Sequence, residues 1–197
     1  GVSGLKRDGF GDDGSYYYTR TITGQIESSD KGFNDTFKRI ENGNKRFQYN
    51  SYANNQHISN IVRLIRELEE NGIKVIVFFP PFANAVTAKL NDMLENYEYI
   101  SDIKAKLTDN NIVFNDFSDP MKIQSHDCEF VDGFHGGEIT YSRILESLGH
   151  KFPSLNKRIN QGFIRKSINL YSGRTFIPDN EITQKKEIDF LGLDCTK

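Results

Sequence analysis

Between Gly72 and Pro80 the chain reads Ile73-Lys74-Val75-Ile76-Val77-Phe78-Phe79, a nearly unbroken β-branched and aromatic run. A strand with one wet face would alternate polar and apolar residues. This run does not, so it predicts a strand buried on both faces, ended at Pro80-Pro81 because proline has no N–H for a ladder. Strands covered on both faces belong to parallel sheets, whose crossovers are usually helices. The preceding residues supply one, since Ile58, Ile61, Val62, Ile65 and Leu68 fall on one stripe at helical spacing over 55–70, with Asn71-Gly72 as the stop. After the prolines, residues 83–107 are again helical in pattern, in two pieces that break near Tyr97 to Ile100. Asn110-Asn111 then turns the chain into a second short strand, Ile112-Val113-Phe114. Alternation of this kind predicts an α/β fold with a parallel sheet, right-handed crossovers and a ligand site at the carboxyl ends of the strands. Phe79-Pro80-Pro81 and the loop after Phe117 lie at that edge.

The richest chemistry sits in a glycine-rich loop, Glu129-Phe130-Val131-Asp132-Gly133-Phe134-His135-Gly136-Gly137-Glu138, which opens a helix. In an Asp-x-x-His loop the carboxylate accepts a hydrogen bond from one imidazole nitrogen, fixing the tautomer and leaving the other nitrogen as a general base. Asp132 is then the orienter and His135 the base. Gly133, Gly136 and Gly137 are expected to take backbone conformations closed to other residues. The plainer reading is a helix cap with a surface histidine. His126, Asp127, Cys128 and Glu129, with Asp132, His135 and Glu138, also gather potential metal ligands, and a metal-dependent hydrolase built on 126–138 is a lesser alternative. No metal is assigned, because the histidines are not at an i, i+4 spacing and form no recognised zinc pattern. Glu138 reads as a first-turn acid, Ile139, Ile144 and Leu148 as the helix's apolar face, and Gly149 as its cap.

The flanks carry weaker signals. Turn chemistry over 7–15 leads into Tyr16-Tyr17-Tyr18-Thr19-Arg20-Thr21-Ile22-Thr23, a short strand, and 34–42 form a short helix. Ser154 is expected to cap a C-terminal helix that includes Leu155, Ile159, Phe163 and Ile168, followed by extended segments returning to the body. With 197 residues, 37% of them hydrophobic, the chain suits a single domain: an irregular segment over 1–50, an α/β core over 51–149, and a C-terminal helix and tail over 150–197. A net charge of −2 offers no basic field for nucleic acid. No apolar run approaches the ~20 residues that span a bilayer. The start has no signal-peptide pattern, and the bare Gly1 suits a chain whose leader or membrane anchor has been removed. Cys128 and Cys195 form either a bridge between the tail and the Asp132 loop, as in an oxidising compartment, or two free thiols, as in the cytosol.

The order helix, strand 73–79 with Pro80-Pro81, helix, strand 112–114, then Asp132-x-x-His135 opening a helix resembles the second half of an SGNH (GDSL-like) hydrolase or acyltransferase domain, over about 51–149. Gly9-Phe10-Gly11-Asp12-Asp13-Gly14-Ser15-Tyr16 is similar to a segment of SGNH-like proteins of bacterial cell-envelope polysaccharide modification. The resemblance implies a flavodoxin-like three-layer parallel sheet flanked by helices, here incomplete at its N-terminal side. It implies a Ser-His-Asp triad in which Asp132 and His135 are the last two members, an ester or acetylated glycan as substrate, an extracytoplasmic location and no cofactor. The family's Gly-Asp-Ser block after a first strand is absent. Ser3 and Ser15 follow polar, glycine-rich residues, and in Gly1-Val2-Ser3-Gly4 Leu5 stands where a nucleophile elbow needs its second glycine. Ser118 and Ser125 read as turn residues, so no serine is expected beside the free imidazole nitrogen. Gly32-Phe33-Asn34-Asp35 spells the Gly-x-Asn-Asp oxyanion block, with Asn34 either an oxyanion donor or a helix cap. The expectation is therefore the C-terminal part of a larger SGNH-like protein whose nucleophile half, or membrane partner, lies elsewhere. A non-catalytic glycan-binding or assembly module using Tyr16 to Tyr18 is the alternative.

Overall fold

The computed structural model describes residues 8–11, 14, 16–178 and 186–197, so Ser3 and Ser15 lie outside the described residues. Strands β1 (Asp8–Phe10) and β2 (Tyr16–Tyr18) form an antiparallel ribbon with Asp8 opposite Tyr18, and the chain turns at once into α1 (Thr19–Ile22). The strand expected over 16–23 is therefore strand for its first half only. Helices α2 (Asn34–Glu41) and α3 (Asn55–Glu70) follow, then β3 (Val77–Phe79), α4 (Asn84–Asn91), α5 (Tyr99–Asp109), β4 (Phe114–Asp116), α6 (Glu138–Lys151), α7 (Pro153–Asn156) and α8 (Gln161–Tyr171).

Helix α3 has the bounds its pattern predicts. Asn54 caps it by accepting the His57 N–H at 3.1 Å, and Gly72, at φ +76°, makes the left-handed stop. Ile58, Val62 and Ile65 are buried, whereas Ile61 stays 47% exposed. Strand β3 runs parallel to β4, with Val77 opposite Phe114 and Phe79 opposite Asp116. Both strands are shorter or later than the apolar runs suggest: Ile73 and Val113 are exposed, because pairing covers three residues on each side. Alternation then sorts the side chains. Val75, Val77, Phe79 and Phe114 pack with Ile58, Val62 and Ile65 of α3 and Leu107 of α5, while Ile76 and Phe78 pack with Phe117 and with Ile144 and Leu148 of α6. The chain is a mixed α/β protein with helices on both faces of this sheet. Among the described residues that sheet has two strands, so the wider three-layer flavodoxin-like sheet is not formed by them.

A third apolar cluster joins Ile22, Phe33, Ile40 and Phe47 to Val86, Leu90, Tyr97 and Phe130, and the returning tail closes it with Phe190 and Leu191. Burial pushes the Tyr97 phenol up to about 12, with Tyr49 and Tyr99 adding to the shift, and its hydroxyl donates to the Ile40 carbonyl at 2.8 Å. Gly149 does not cap α6, which continues to Lys151. A Cβ there would stand 2.0 Å from the Gln161 side chain, so the glycine serves the approach of the α8 region. Ser154 is not the C-terminal cap either, since the expected single helix is broken and Asn160 caps α8 by accepting the Phe163 N–H.

At the end of β4, Asp116 receives Lys104 Nζ at 2.7 Å, Ser118 Oγ at 2.5 Å and the Ser118 N–H at 3.0 Å. Burial raises the carboxyl pKa, but these donors outweigh it and hold it at about 2, below the ordinary 3.8. A lowered folded-state pKa gives stability that is present above the unfolded value and lost as pH falls through the folded one. Unfolding between pH 4 and pH 2 is accordingly expected to show a loss, on the order of 1 kcal/mol after solvent screening, that is missing in Asp116→Asn. Urea midpoints across that range check it, and parallel pH profiles for the two proteins would exclude it.

Candidate functional site

The Asp132 loop is a tight hairpin. Phe130 bridges Gly136, the Val131 N–H donates to the His135 carbonyl at 2.8 Å, and the Gly137 N–H donates to the Glu129 carbonyl at 2.7 Å. Asp132 organises the tip: its Oδ1 accepts the backbone N–H groups of Phe134 at 2.9 Å and His135 at 2.7 Å, and its Oδ2 lies 2.8 Å from His135 Nδ1. The two residues singled out from sequence are thus hydrogen-bonded as expected, with Asp132 the more enclosed and the imidazole 43% exposed. The loop's glycines work otherwise than expected. None of Gly133, Gly136 and Gly137 has a positive φ. They are needed for space, since a Cβ on Gly137 would stand 2.2 Å from the Thr175 carbonyl oxygen and one on Gly133 would stand 2.7 Å from Thr36.

Two anchors fix the hairpin to the sheet edge. The Ala83 N–H, just past Pro80-Pro81 at the carboxyl end of β3, donates to the Gly133 carbonyl at 3.1 Å. From the other side the Gly133 N–H donates to Asp30 Oδ2 at 2.9 Å, and Asp30 also accepts the Thr36 N–H and hydroxyl at 2.9 and 2.6 Å. Asp30 is 4% exposed, a buried carboxylate both of whose oxygens accept hydrogen bonds. Nothing in the sequence marks it, because its target lies 103 residues away.

On its open side the imidazole meets arginine. Arg46 Nη1 lies 3.2 Å from His135 Nε2, and a guanidinium only donates, so Nε2 is the accepting nitrogen and the ring proton sits on Nδ1 against Asp132. The Arg46 guanidinium lies 5.3 Å from the Phe134 ring centroid and that of Arg39 lies 5.7 Å from it. Tyr18 faces the same corner. Burial, and then the Asp132 carboxylate, raise its phenol above the ordinary value, with Arg46 opposing.

The remaining expected residues go elsewhere. Asn34 is exposed, and its Nδ2 donates to the Lys31 carbonyl at 2.7 Å, so it neither aims at His135 nor caps α2 from the N-cap position, which Phe33 occupies. Ser118 is bound to Asp116. Ser125 is buried against Glu129 Oε2 and the Thr140 hydroxyl, both at 2.9 Å. No described serine hydrogen-bonds to the His135 ring. In 126–138 the acids are taken up by the fold: Asp127 receives the backbone N–H groups of Asn84 and Ala85 at the start of α4, Glu129 pairs with Arg143, and Glu138, in the first turn of α6, accepts the Ile177 N–H at 2.7 Å. Among the described residues no group of three or more His, Cys, Asp or Glu is placed to hold a metal ion.

Cys128 and Cys195 form a disulfide, 67 residues apart in sequence. The tail it holds is also tied by Lys197 Nζ, 2.7 Å from both the Cys128 carbonyl and Glu187 Oε1. By chain entropy a bridge across such a loop stabilises by about 4 kcal/mol. Cys195→Ser is expected to lower the guanidinium midpoint accordingly, and an unchanged midpoint would show that the tail holds without its bridge.

No family description, curated protein or solved structure matches the chain. No helix among the described residues is long and apolar enough to cross a membrane.

Proposed function

We propose that the chain is the His-Asp part of an SGNH-like esterase or O-acyltransferase domain, with a flavodoxin-like sheet of which β3 and β4 are members, acting on an ester or acetylated glycan of the cell envelope. The observation that carries this reading is the Asp132 Oδ2 to His135 Nδ1 contact of 2.8 Å, in a hairpin fastened to the carboxyl end of β3. The carboxylate holds the imidazole in the tautomer whose Nε2 lone pair points outward, as a general base requires. A serine hydroxyl brought to Nε2 gives up its proton there as its oxygen bonds to the acyl carbon. The imidazolium then returns the proton to the departing alkoxide, leaving an acyl-serine. In the second half a water or glycan hydroxyl passes its proton to Nε2, takes the acyl group and restores the serine. The Cys128–Cys195 bridge suits an extracytoplasmic location.

Turnover of p-nitrophenyl acetate by the full-length protein, with His135→Ala beside it, tests the proposal. Equal rates would remove His135 from catalysis. A fluorophosphonate label that depends on His135, mapped by mass spectrometry, would identify the serine. One observation favours the non-catalytic alternative: a groove of about 1020 Å3 runs past Tyr18, Tyr141, Phe163, Tyr171 and Phe176 with Lys166 on its wall, a ring-rich surface suited to stacking on sugars. Glycan binding without ester turnover would select that reading.

A further inference from the structure

We propose that Arg46 and Arg39, both laid on the Phe134 ring beside His135, form an anion subsite, so that the substrate of this site carries a carboxylate or phosphate group next to its scissile ester. The identity of the substrate as an ester rests on the function proposed above; the anion subsite itself does not.

Three features converge on it. Arg46 is exposed and, among the described residues, makes one hydrogen bond, to His135 Nε2, and no ion pair. Of its five N–H donors, most therefore face outward without a protein acceptor. Arg39 is paired through Nη2 with Asp35, yet its Nε is buried with no hydrogen-bond partner among the described residues. A buried donor left open is uncommon in a finished structure. Finally, two like charges share one aromatic ring, at 5.3 and 5.7 Å from its centroid. The ring attracts each of them, and Asp35 offsets the charge of Arg39, which leaves the Arg46 guanidinium without a carboxylate partner among the described residues. Asp132, the nearest carboxylate of the loop, has its oxygens on His135 and the loop amides.

The surroundings indicate what carries the charge. Arg46 also lines a pocket of about 390 Å3 whose lining includes Gln48, Asn50, Asn54, His57 and Tyr52 and contains no carboxylate. Neutral hydrogen-bonding groups and an exposed ring suit a hydroxylated body whose anionic group reaches the arginines in the two-pronged way guanidinium favours. The position of Arg46 also links binding to chemistry. Its N–H occupies the Nε2 lone pair that a serine hydroxyl must use, so an anion that draws the guanidinium toward itself uncovers the base. A neutral ester leaves the base covered.

The test is an NMR titration of the 197-residue chain, following the His135 ring and the Arg46 side-chain N–H, with glucuronate, inorganic phosphate and, as neutral control, glucose. Glucuronate or phosphate is expected to shift both signals and glucose neither. Comparing the two anions separates carboxylate from phosphate recognition. Arg46→Gln should weaken the anion about ten- to hundredfold, and Arg46→Lys, which keeps the charge and loses the fork, should recover part of it. Shifts that are equal for glucose and glucuronate, or an Arg46→Gln affinity equal to the parent's, would overturn the proposal. In the full-length protein the ratio of kcat/KM for acetylated glucuronate to that for acetylated glucose should fall toward one in Arg46→Gln. Turnover with an unchanged ratio would sink the subsite and leave the esterase. Arg46-dependent anion binding with no turnover would do the reverse.

Discussion

On the proposed esterase reading, Asp132→Asn is expected to lower acyl-ester turnover by the full-length protein by about four orders of magnitude while leaving the fold in place. Asparagine keeps an oxygen where Oδ1 accepts the Phe134 and His135 amides, so the hairpin tip retains two of its bonds. What changes is the atom facing Nδ1, where a carboxylate oxygen that accepts is replaced by an amide that donates. The imidazole answers by carrying its proton on Nε2, and the lone pair needed to take the serine proton is gone. His135→Ala should lose about as much, and the double variant little more, because the two residues act as one unit. Turnover and a thermal melt on the same samples separate this from unfolding. An Asp132→Asn protein with parental turnover would show that Asp132 only shapes the loop.

The features legible in the sequence are those written in local spacing. Helix α3 declares itself through the stripe Ile58, Ile61, Val62, Ile65 and Leu68 with Asn71-Gly72 as its stop, and the Asp132–His135 contact spans three residues. The strands were harder to bound, because an apolar run such as 73–79 reports hydrophobicity while strand length depends on where a partner lies; pairing with β4 starts at Val77. Gly133 and Gly137 were visible as unusual, but crowding from Thr36 and Thr175 belongs to elements far along the chain. For the same reason Arg46, which meets His135 Nε2 across 89 residues, and Asp30, which holds the hairpin across 103, carried no signal. Neither lies in a periodic pattern or a motif. The bridge between Cys128 and Cys195 stood open in the sequence because spacing alone does not bring two sulfurs together.

The second large effect is on stability. Glu129→Ala is expected to cost roughly 3–5 kcal/mol, the range for removing one partner of a buried ion pair. Glu129 is fully buried, and its carboxylate accepts from Arg143 Nη2 at 2.8 Å and the Gly173 N–H at 3.0 Å on Oε1, and from Arg143 Nε and the Ser125 hydroxyl, both at 2.9 Å, and the His126 N–H at 3.5 Å on Oε2. Truncation leaves a guanidinium that is 10% exposed, a hydroxyl and an amide without their acceptor. Glu129→Leu combined with Arg143→Met removes both charges and should recover the part of the loss that comes from stranding Arg143, while the Gly173 N–H and the Ser125 hydroxyl stay without this acceptor. The same residue's backbone carbonyl takes the Gly137 N–H at 2.7 Å and the Thr140 hydroxyl at 3.1 Å, so disturbance at Glu129 passes directly to the base of the Asp132 hairpin. Amide exchange over 131–137 is therefore expected to quicken in Glu129→Ala at denaturant concentrations too low for global unfolding. A variant whose midpoint moves by less than ~0.5 kcal/mol, the usual range for surface changes, would mean that Arg143 finds water or Ser172 an adequate substitute.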